Sequence, residues 1–372
     1  MDFTSLSEIF KKHEISFFSG VPDSTFKGWM SYLAEAKDLT NIVAVNECEA
    51  TAICAGYNLS TGKLGVVYMQ NSGLGKCVNP LTSLCDKEVY SIPMLLMIGL
   101  RGEPGKKDEP QHKKMGRITF NLLDCLEVPY EILPDNPKEA EKVIAKMKEE
   151  AFKKQAPVAL IIKKGVIDDY PTKTKKIRSF EMSREEAIKT IIDFSSGSEA
   201  IISTTGKTSR ELFEYRISKN QDPKDFYMVG SMGCVASLAN SVALQKPQKK
   251  IFAFDGDGAI LMQLGSMATI GYQKPNNLYH FIFDNGAHGS TGGQPTISDN
   301  VDFKSIALAS GYAFALQIET KKELEESMKK INDLKGPVLL IIKVNSESRK
   351  DLGRPTKTPL ENKESFLGSL RD

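Results

Sequence analysis

Short apolar runs alternate with segments of helical periodicity along the whole chain. A first series of runs lies at residues 16–20, 42–45, 64–69, 92–100 and 157–163, and a second at 199–203, 251–254, 278–283 and 337–344. Runs of this length are typical of buried parallel strands, and the segments between them have the spacing of amphipathic helices. This alternation predicts an α/β fold with doubly wound parallel sheets.

The two series end in nearly the same heptapeptide. Residues 157–163 read PVALIIK and residues 337–343 read PVLLIIK, and each follows a charged amphipathic segment, at 137–154 and 321–334. Buried parallel strands all draw on the same aliphatic residues, so chance is an alternative. The matching helices favour duplication of one domain. We expect similar domains at 1–167 and 185–345, a polar linker at 168–184 and a tail at 346–372.

Acidic residues and glycines alternate at 255–258, directly after an apolar run. Alone, Gly-Asp-Gly most often marks a turn. Apolar residues from Ile260 to Ala268 recur at helical spacing, which puts a helix N-terminus, a favourable phosphate position, beside the same loop. Asn285 follows Asp257 by 28 residues, the length of one strand–helix–strand crossover. Oxygen ligands at the ends of neighbouring strands suit a magnesium ion that bridges a diphosphate.

Composition and charge exclude several classes of protein. The 372 residues are 41% hydrophobic and 26% charged, as in an ordinary globular protein, and the net charge is +2. A charge this small gives no general attraction for nucleic acid or an anionic membrane. The sequence contains no secretory leader and no apolar stretch of about 20 residues, so we expect a cytoplasmic protein. The six cysteines lack Cys-x-x-Cys spacing, which favours free thiols over zinc or disulfides.

At these loops the sequence resembles the thiamine-diphosphate enzymes, in which Gly-Asp-Gly is followed after one crossover by an asparagine pair. Here the pair reads Asp284-Asn285, so the first asparagine is replaced and the metal-binding one is present. The resemblance implies thiamine diphosphate and Mg²⁺ as cofactors. It also implies the thiamine-diphosphate-binding fold, with a pyrimidine-binding domain before a diphosphate-binding domain.

Two carboxylates, Glu47 and Glu49, open a helical segment in the first half. Both are compatible with acids that simply favour a helix N-terminus. In the thiamine-diphosphate enzymes a catalytic glutamate precedes the glycine of a Gly-Tyr pair by nine residues, and Gly56-Tyr57 assigns that role to Glu47. A buried acid with a raised pKa would control the tautomer of the cofactor's aminopyrimidine ring.

Longer segments resemble the phosphonopyruvate decarboxylases, to which the sulfopyruvate decarboxylases are close. These segments lie at 18–24, 70–75, 92–96, 101–105, 108–112, 285–295 and 351–362. Two positions depart from the family pattern: Lys76 stands where an asparagine is expected, and Leu100 where an aromatic residue is usual. If these residues line the pocket, they affect substrate preference.

The resemblance assigns roles to individual residues. Glu47 and His112 are expected to be catalytic. Cofactor binding is expected from Pro22, Asn71, Gly206, Ser231, Met232, Gly256, Gly258, Ala259 and Asn285. Expected metal ligands are Asp257, Asn285 and Ala287, and expected substrate contacts are Asp23, Ser24, Arg101 and His288. Alternatives remain for three of them: Met232 as a core residue, Arg101 paired with Glu103 or Asp108, and His112 as a structural histidine. Arg354 is a further candidate for the phosphonate, or else a solvated tail residue.

The implied activity is decarboxylation of 3-phosphonopyruvate to phosphonoacetaldehyde and CO₂, in phosphonate biosynthesis. Sulfopyruvate decarboxylation and acetolactate-type carboligation are alternatives within the class. A magnesium-dependent phosphohydrolase and a non-catalytic cofactor-binding protein are alternatives from other classes. Because relatives share each active site between subunits, a homodimer or homotetramer with shared sites is expected.

Overall fold

The computed structural model describes residues 1–170, 178–289, 291–346, 348–349 and 351–371. The chain divides into two compact units, residues 1–175 and 176–372. Residues 171–177 of the predicted linker, Ser290 in the segment at 285–295, and residues 347, 350 and 372 of the predicted tail lie outside the described residues. The domain boundaries drawn from the sequence therefore remain predictions.

The first unit is built on a parallel sheet with the strand order β2-β1-β3-β4-β6-β5. Its strands are β1 (Phe17–Gly20), β2 (Thr40–Val43), β3 (Gly65–Gln70), β4 (Met94–Gly99), β5 (Tyr130–Ile132) and β6 (Pro157–Ile162). Its helices are α1 (Phe3–Lys12), α2 (Lys27–Glu35), α3 (Glu47–Thr61), α4 (Leu74–Ser83), α5 (Pro110–Cys125) and α6 (Pro137–Lys154).

Helices cover both faces of this sheet, which is why β4 and β6 are apolar at every position and β3 is apolar up to its last residue, Gln70. Successive residues of a strand point to opposite faces. On β3, Val66 and Tyr68 belong to one buried cluster, while Val67 and Met69 belong to the cluster on the other face. A sheet buried on both sides gives continuous apolar runs instead of alternation.

The second unit has a parallel sheet with the order β13-β14-β10-β9-β7-β8 and a small antiparallel pair, β11-β12. Its strands are β7 (Ala200–Ser203), β8 (Phe226–Tyr227), β9 (Ile251–Gly256), β10 (Leu278–Asp284), β11 (Ala287–His288), β12 (Gln294–Pro295), β13 (Phe314–Ile318) and β14 (Val338–Lys343). Its helices are α7 (Arg184–Phe194), α8 (Lys207–Ser218), α9 (Val235–Gln245), α10 (Asp257–Met262), α11 (Ser266–Gln273), α12 (Phe303–Ser310), α13 (Lys321–Lys330) and α14 (Pro359–Ser369).

The two main sheets have the same connectivity. When the small pair is set aside and the second order is read from its other end, β7 to β10, β13 and β14 take the places of β1 to β6. The two similar heptapeptides form β6 and β14, which occupy equivalent positions. The predicted fold class, two similar doubly wound α/β domains, is therefore confirmed.

The structure differs from the sequence-based elements in two respects. Strands β5, β8 and β13, each at an edge of its sheet, were not predicted, and neither was the small pair β11-β12. The apolar spacing after Asp257 predicted one continuous helix, whereas α10 and α11 are separated at residues 263–265, next to Gly265. Among the described residues, no helix is both long and apolar enough to cross a membrane.

The last helix, α14, is hydrogen-bonded to the edge strand β8 through one buried side chain, that of Asn362. The amide oxygen of Asn362 accepts a hydrogen bond from the backbone N–H of Tyr227 (3.1 Å), and its nitrogen donates to the carbonyl oxygen of Asp225 (2.8 Å). The Tyr227 N–H and the Asp225 carbonyl lie at a sheet edge, where an unpaired backbone group can pair with another chain. Asn362 thus completes the hydrogen bonding of this edge.

We predict that Asn362→Ala lowers the free energy of unfolding by roughly 2–4 kcal/mol, since each buried group left unpaired costs about 1–3 kcal/mol. Urea unfolding followed by circular dichroism measures the effect. Lys363→Ala is the matched control, because Lys363 is the exposed neighbour on the same helix. Equal stability of the two variants would show that Asn362 does not hold the edge.

Candidate active site

The structure separates the roles of the two acids at the start of α3. The carboxylate of Glu49 accepts a hydrogen bond from the backbone N–H of Val45 (2.7 Å), and Asn46 caps the helix by accepting from the N–H of Glu49 (3.0 Å). Glu49 is exposed and hydrogen-bonds the local backbone, whereas Glu47 is only 5% exposed. Of the two, Glu47 is therefore the acid that is held inside the unit.

The Glu47 carboxylate is buried without full hydrogen bonding. Its Oε2 atom has no hydrogen-bond partner among the described residues. Burial raises the pKa of Glu47, and the Lys76 ammonium, 3.9 Å from Oε2, opposes that rise. A Cβ atom at Gly73 would lie 2.3 Å from Oε1, so only glycine at this position lets the carboxylate lie against the turn at 71–73. The site thus holds an acid with unused hydrogen-bonding capacity.

Asn71, in the same turn, connects it to the loop after β4. Its side-chain nitrogen donates to the carbonyl oxygen of Arg101 (2.9 Å) and to the Thr119 hydroxyl (2.9 Å), and its oxygen accepts from the Arg101 N–H (3.3 Å). The Asn71 amide is therefore engaged within the first unit. Pro22 lies buried just after β1, and Leu100 packs in the core cluster.

Arg101 is held by Asp108, one of the two partners that the sequence left open. Asp108 accepts from Arg101 Nε (2.9 Å) and Nη2 (2.5 Å) and from the N–H of Gly102 (2.8 Å). Burial would raise the pKa of Asp108, but the hydrogen bonds from Arg101 and the backbone hold it below its usual range. Arg101 Nη1 also donates to the Ser24 hydroxyl (2.9 Å). Most of the guanidinium is thus committed to this loop.

Asp23 and His112 lie in the same region of the first unit. Asp23 is fully buried and accepts from Gln70 Nε2 (2.6 Å) and from the N–H of Thr25 (3.0 Å). His112 is 9% exposed, and its Nδ1 atom has no hydrogen-bond partner among the described residues. Burial lowers the pKa of His112 and the positive charge of Arg101 lowers it further, so the imidazole is neutral at pH 7.

In the second unit, Asp257 and Asn285 follow adjacent strands, as the sequence predicted. Strand β9 pairs with β10 in parallel, and Asp257 begins α10 directly after β9. The Asp257 carboxylate is 2% exposed and accepts a hydrogen bond from the Thr296 hydroxyl. Asn285 is buried, and its side-chain oxygen accepts from the N–H of Ala287 (3.2 Å).

Asp284, which replaces the family's first asparagine, is neutralised by two cations. Its Oδ1 accepts from Arg178 Nη1 (2.7 Å) and from the Ser298 hydroxyl (2.8 Å), and its Oδ2 accepts from Lys343 Nζ (2.5 Å). Burial raises the pKa of Asp257, and the negative charge of Asp284 raises it further. Arg178 and Lys343 had no predicted role, because both are distant from Asp284 in the chain and match no motif.

The donor set fits magnesium bound together with a diphosphate. Among the described residues no group of three or more His, Cys, Asp or Glu side chains has the arrangement of a metal site. A metal at Asp257 would therefore need amide, carbonyl and ligand oxygens, which hard cations such as Mg²⁺ accept. Asn285 and the backbone of Ala287 offer the first two kinds, and a diphosphate would supply the third.

Several expected cofactor-binding residues lie on unusual backbone near the ends of strands in this unit. Gly206, before α8, has φ 97°, and Ser231 has φ 54°, a left-handed conformation that is uncommon outside glycine. Met232 is half-buried, and the alternative of a core methionine stays open. Gly256 is half-buried, and Ala259 is buried in α10.

His288 lies against Gly258. A Cβ atom at Gly258 would be 3.0 Å from the Cε1 atom of His288 and 3.3 Å from the Thr296 methyl group. Desolvation by the surrounding protein lowers the pKa of His288 to about 4, so this ring is also neutral at pH 7. Arg354, in contrast, is exposed in the tail.

The predicted residues thus gather into two groups, one in each unit. The first contains Glu47, Asn71, Pro22, Asp23, Ser24, Arg101 and His112, and the second contains Asp257, Gly258, Asn285, Ala287 and His288. Asp108, Arg178, Thr296 and Lys343 complete these groups; Asp108 was a predicted alternative partner of Arg101, and the other three had no predicted role. Asp108 lies in one of the segments that resemble the phosphonopyruvate decarboxylases. Its acidic side chain, seven residues after Arg101, was the sequence signal for the Arg101–Asp108 ion pair.

Comparison with known proteins relates both parts of the chain to one enzyme family. Residues 3–120 match the family "Thiamine pyrophosphate enzyme, N-terminal TPP binding domain", and residues 204–342 match "Thiamine pyrophosphate enzyme, C-terminal TPP binding domain". Each match contains one of the two groups, whereas Arg178 and Lys343 lie outside the second match.

Curated relatives match over most of the chain. Phosphonopyruvate decarboxylase of Streptomyces viridochromogenes is 35% identical over 92% of this chain and 88% of its own length. That of Streptomyces hygroscopicus is 35% identical over 92% of this chain and 87% of its own. Sulfopyruvate decarboxylase of Methanosarcina acetivorans is 27% identical over 88% of this chain and 87% of its own. The chain therefore belongs to the thiamine pyrophosphate enzymes, in the decarboxylase family that includes phosphonopyruvate decarboxylase.

Proposed function

We propose that the protein catalyses the thiamine-diphosphate- and Mg²⁺-dependent decarboxylation of 3-phosphonopyruvate. The bond between the carboxyl carbon and the keto carbon breaks, CO₂ leaves, and a proton takes its place to give phosphonoacetaldehyde. The observation that carries the proposal is the buried Glu47 carboxylate, whose Oε2 atom has no partner among the described residues. The 35% identity to phosphonopyruvate decarboxylases, against 27% to the full-length sulfopyruvate decarboxylase, supports this substrate.

In this proposal each group of residues holds one end of the cofactor. Thiamine diphosphate, when bound, supplies the electron sink for the carbanion left by loss of CO₂. Glu47 would exchange a proton with the aminopyrimidine ring through Oε2, in a region that includes Pro22 and Asn71. Asp257, Asn285 and the carbonyl group of Ala287 would hold Mg²⁺. Backbone groups at Gly206, Ser231, Gly256, Gly258 and Ala259 would bind the diphosphate, and Met232 would support the middle of the cofactor.

The substrate's anionic end is proposed to meet Ser24 and Arg101. Three of the five guanidinium donors of Arg101 are used by Asp108 and Ser24, so Arg101 is a rigid, partly available donor. Asp23 would repel a phosphonate directly, and its hydrogen bonds to Gln70 and Thr25 suit a positioning role. His112 and His288, both neutral at pH 7, are the candidates for returning a proton to the product carbon.

Sulfopyruvate is the second candidate substrate. The two keto acids carry small tetrahedral anions of similar shape, and a donor set of hydroxyl and guanidinium groups accepts either. The sulfopyruvate decarboxylase of Methanocaldococcus jannaschii has separate α and β subunits, which are 38% and 37% identical to this chain over 41% and 42% of it. These matches are the observation that keeps sulfopyruvate in consideration.

Steady-state assays with both keto acids test the proposed function. We predict a kcat/KM for 3-phosphonopyruvate at least about tenfold above that for sulfopyruvate, with release of CO₂ and an aldehyde. Glu47→Gln should lower turnover by ~10²-fold or more, the range for removal of a positioned acid. Faster turnover of sulfopyruvate would favour the second candidate, and near-wild-type turnover by Glu47→Gln would remove Glu47 from the mechanism.

Asp257→Asn tests the metal assignment, because it keeps the shape of the side chain and removes a buried charge. Burial and Asp284 raise the folded-state pKa of Asp257 above its unfolded value, so the ionised carboxylate destabilises the fold at neutral pH. We predict an unchanged or higher melting temperature without metal. In Mg²⁺, the affinity for thiamine diphosphate measured by calorimetry should fall roughly 100-fold or more. Retained affinity would contradict the assignment.

We further propose that each active site is shared between subunits of a homodimer or homotetramer, because Glu47 and Asp257 serve opposite ends of one cofactor from different units. The test is to mix inactive Glu47→Gln and Asp257→Asn subunits after dissociation. A hybrid with shared sites contains one doubly altered site and one intact site, so activity should return. Verified hybrids without activity, or an active monomer in sedimentation, would contradict sharing.

A further inference from the structure

Lys76 occupies an unfavourable position in the first unit. It lies in the first turn of α4, where the helix dipole disfavours a positive charge. Its ammonium nitrogen is buried and has no hydrogen-bond partner among the described residues. Neither the helix nor a hydrogen bond therefore explains its place, and the nearest compensating charge is the Glu47 carboxylate, 3.9 Å away.

The pair faces inward from two elements that pack together, α3 and α4. Glu47 Oε2 and Lys76 Nζ are both buried atoms that lack a hydrogen-bond partner among the described residues. The side chains differ in exposure, at 7% for Glu47 and 31% for Lys76. The exposed part of Lys76 is therefore its methylene stem, and its buried ammonium lies near the carboxylate.

We infer that Lys76 is a positioning residue for Glu47: its ammonium favours the ionised form of the inward-facing carboxylate and so sets the pH range in which Glu47 exchanges a proton. The inference deepens the proposed function and rests on the role of Glu47 in it. Lys76 stands where the resemblance leads us to expect an asparagine, which carries no charge and could not act on Glu47 in this way.

The other described groups near Glu47 are neutral or exposed, so the effect on the charge of its carboxylate comes from Lys76. From α4, the Cys77 thiol lies 3.5 Å from the backbone oxygen of Glu47, and burial raises the pKa of Cys77 to about 12, so the thiol is neutral. From α3, the Thr51 hydroxyl donates to the same oxygen (2.9 Å) and Cys48 is exposed. Met69 on β3 contacts Cys77 and does not titrate. Without the ammonium, burial would raise the pKa of Glu47 with only the backbone hydrogen bond to the carboxylate to oppose it.

The test is the titration of Glu47 in the cofactor-free protein, followed by NMR of carboxyl-labelled glutamate, with Glu47→Gln to assign the signal. We predict that Lys76→Met moves the titration midpoint upward by about 1 pH unit or more, the size expected for losing an opposite charge at this distance. Lys76→Arg keeps the positive charge and should restore the wild-type midpoint. Lys87→Met is the control, since Lys87 is exposed and pairs with Glu127.

A second readout uses the cofactor without any keto acid. The rate at which bound thiamine diphosphate exchanges its reactive C–H for deuterium should show the same upward shift of its acid limb in Lys76→Met. Lys76→Gln replaces Lys76→Met if the latter does not fold by circular dichroism. A wild-type midpoint in the neutral variants would overturn the inference, as would a changed KM for the keto acid with an unchanged midpoint.

The outcomes separate this inference from the proposed function. The titration is measured without substrate, so a shifted midpoint supports the Lys76–Glu47 pair even if neither keto acid is decarboxylated. Conversely, full decarboxylation by Glu47→Gln would contradict the proposed role of Glu47 whatever the titration of the Lys76 variants shows.

Discussion

A buried carboxylate oxygen without a hydrogen-bond partner costs free energy, and Glu47 Oε2 is such an atom in the described part of the first unit. Burying a charge that lacks partners is tolerated where surrounding structure holds it in place and a ligand or an opposite charge offsets part of the cost. Gly73 makes the space for Oε1, and Lys76 provides a charge near Oε2. The placement is difficult to explain by stability alone and is typical of a functional group.

The two units use one topology for two kinds of chemistry. The loops after β3 and β9 are equivalent, and they carry Asn71 in the first unit and Asp257 in the second. The side-chain amide of Asn71 forms hydrogen bonds within its own unit, whereas Asp257 places a carboxylate at the start of a helix. Because parallel strands all end at one edge of a sheet, each unit gathers polar groups there. The side chains at these loops then determine what is bound.

Most of the fold followed from the apolar pattern, because strands buried on both faces have long apolar runs. The pattern missed the two-residue strands β11 and β12. It also missed β5, β8 and β13, which are short edge strands, and only one side of each pairs with the sheet. Their residues are partly exposed, so no continuous apolar run marks them. The β8 edge depends on Asn362, which is 135 residues away from Tyr227.

The candidate site was predicted where a motif fixes both residue type and spacing, as for Glu47, Asp257 and Asn285. Contacts between distant segments could not be read from spacing. Asp284 appeared in the sequence only as a departure from the family, and its partners Arg178 and Lys343 lie 106 and 59 residues away. The structure gives the physical reason that an acid is tolerated there: two cations neutralise its charge.

The central claim is that Glu47 and Asp257 act on opposite ends of one thiamine diphosphate molecule. A crystal structure of the protein with thiamine diphosphate and Mg²⁺ tests it most directly. The account predicts Glu47 Oε2 within hydrogen-bond distance of an aminopyrimidine nitrogen, and oxygens of Asp257 and Asn285 about 2.0–2.1 Å from the metal, as Mg²⁺ requires. A cofactor bound with its pyrimidine ring away from Glu47, or a metal without Asp257 among its ligands, would contradict the account.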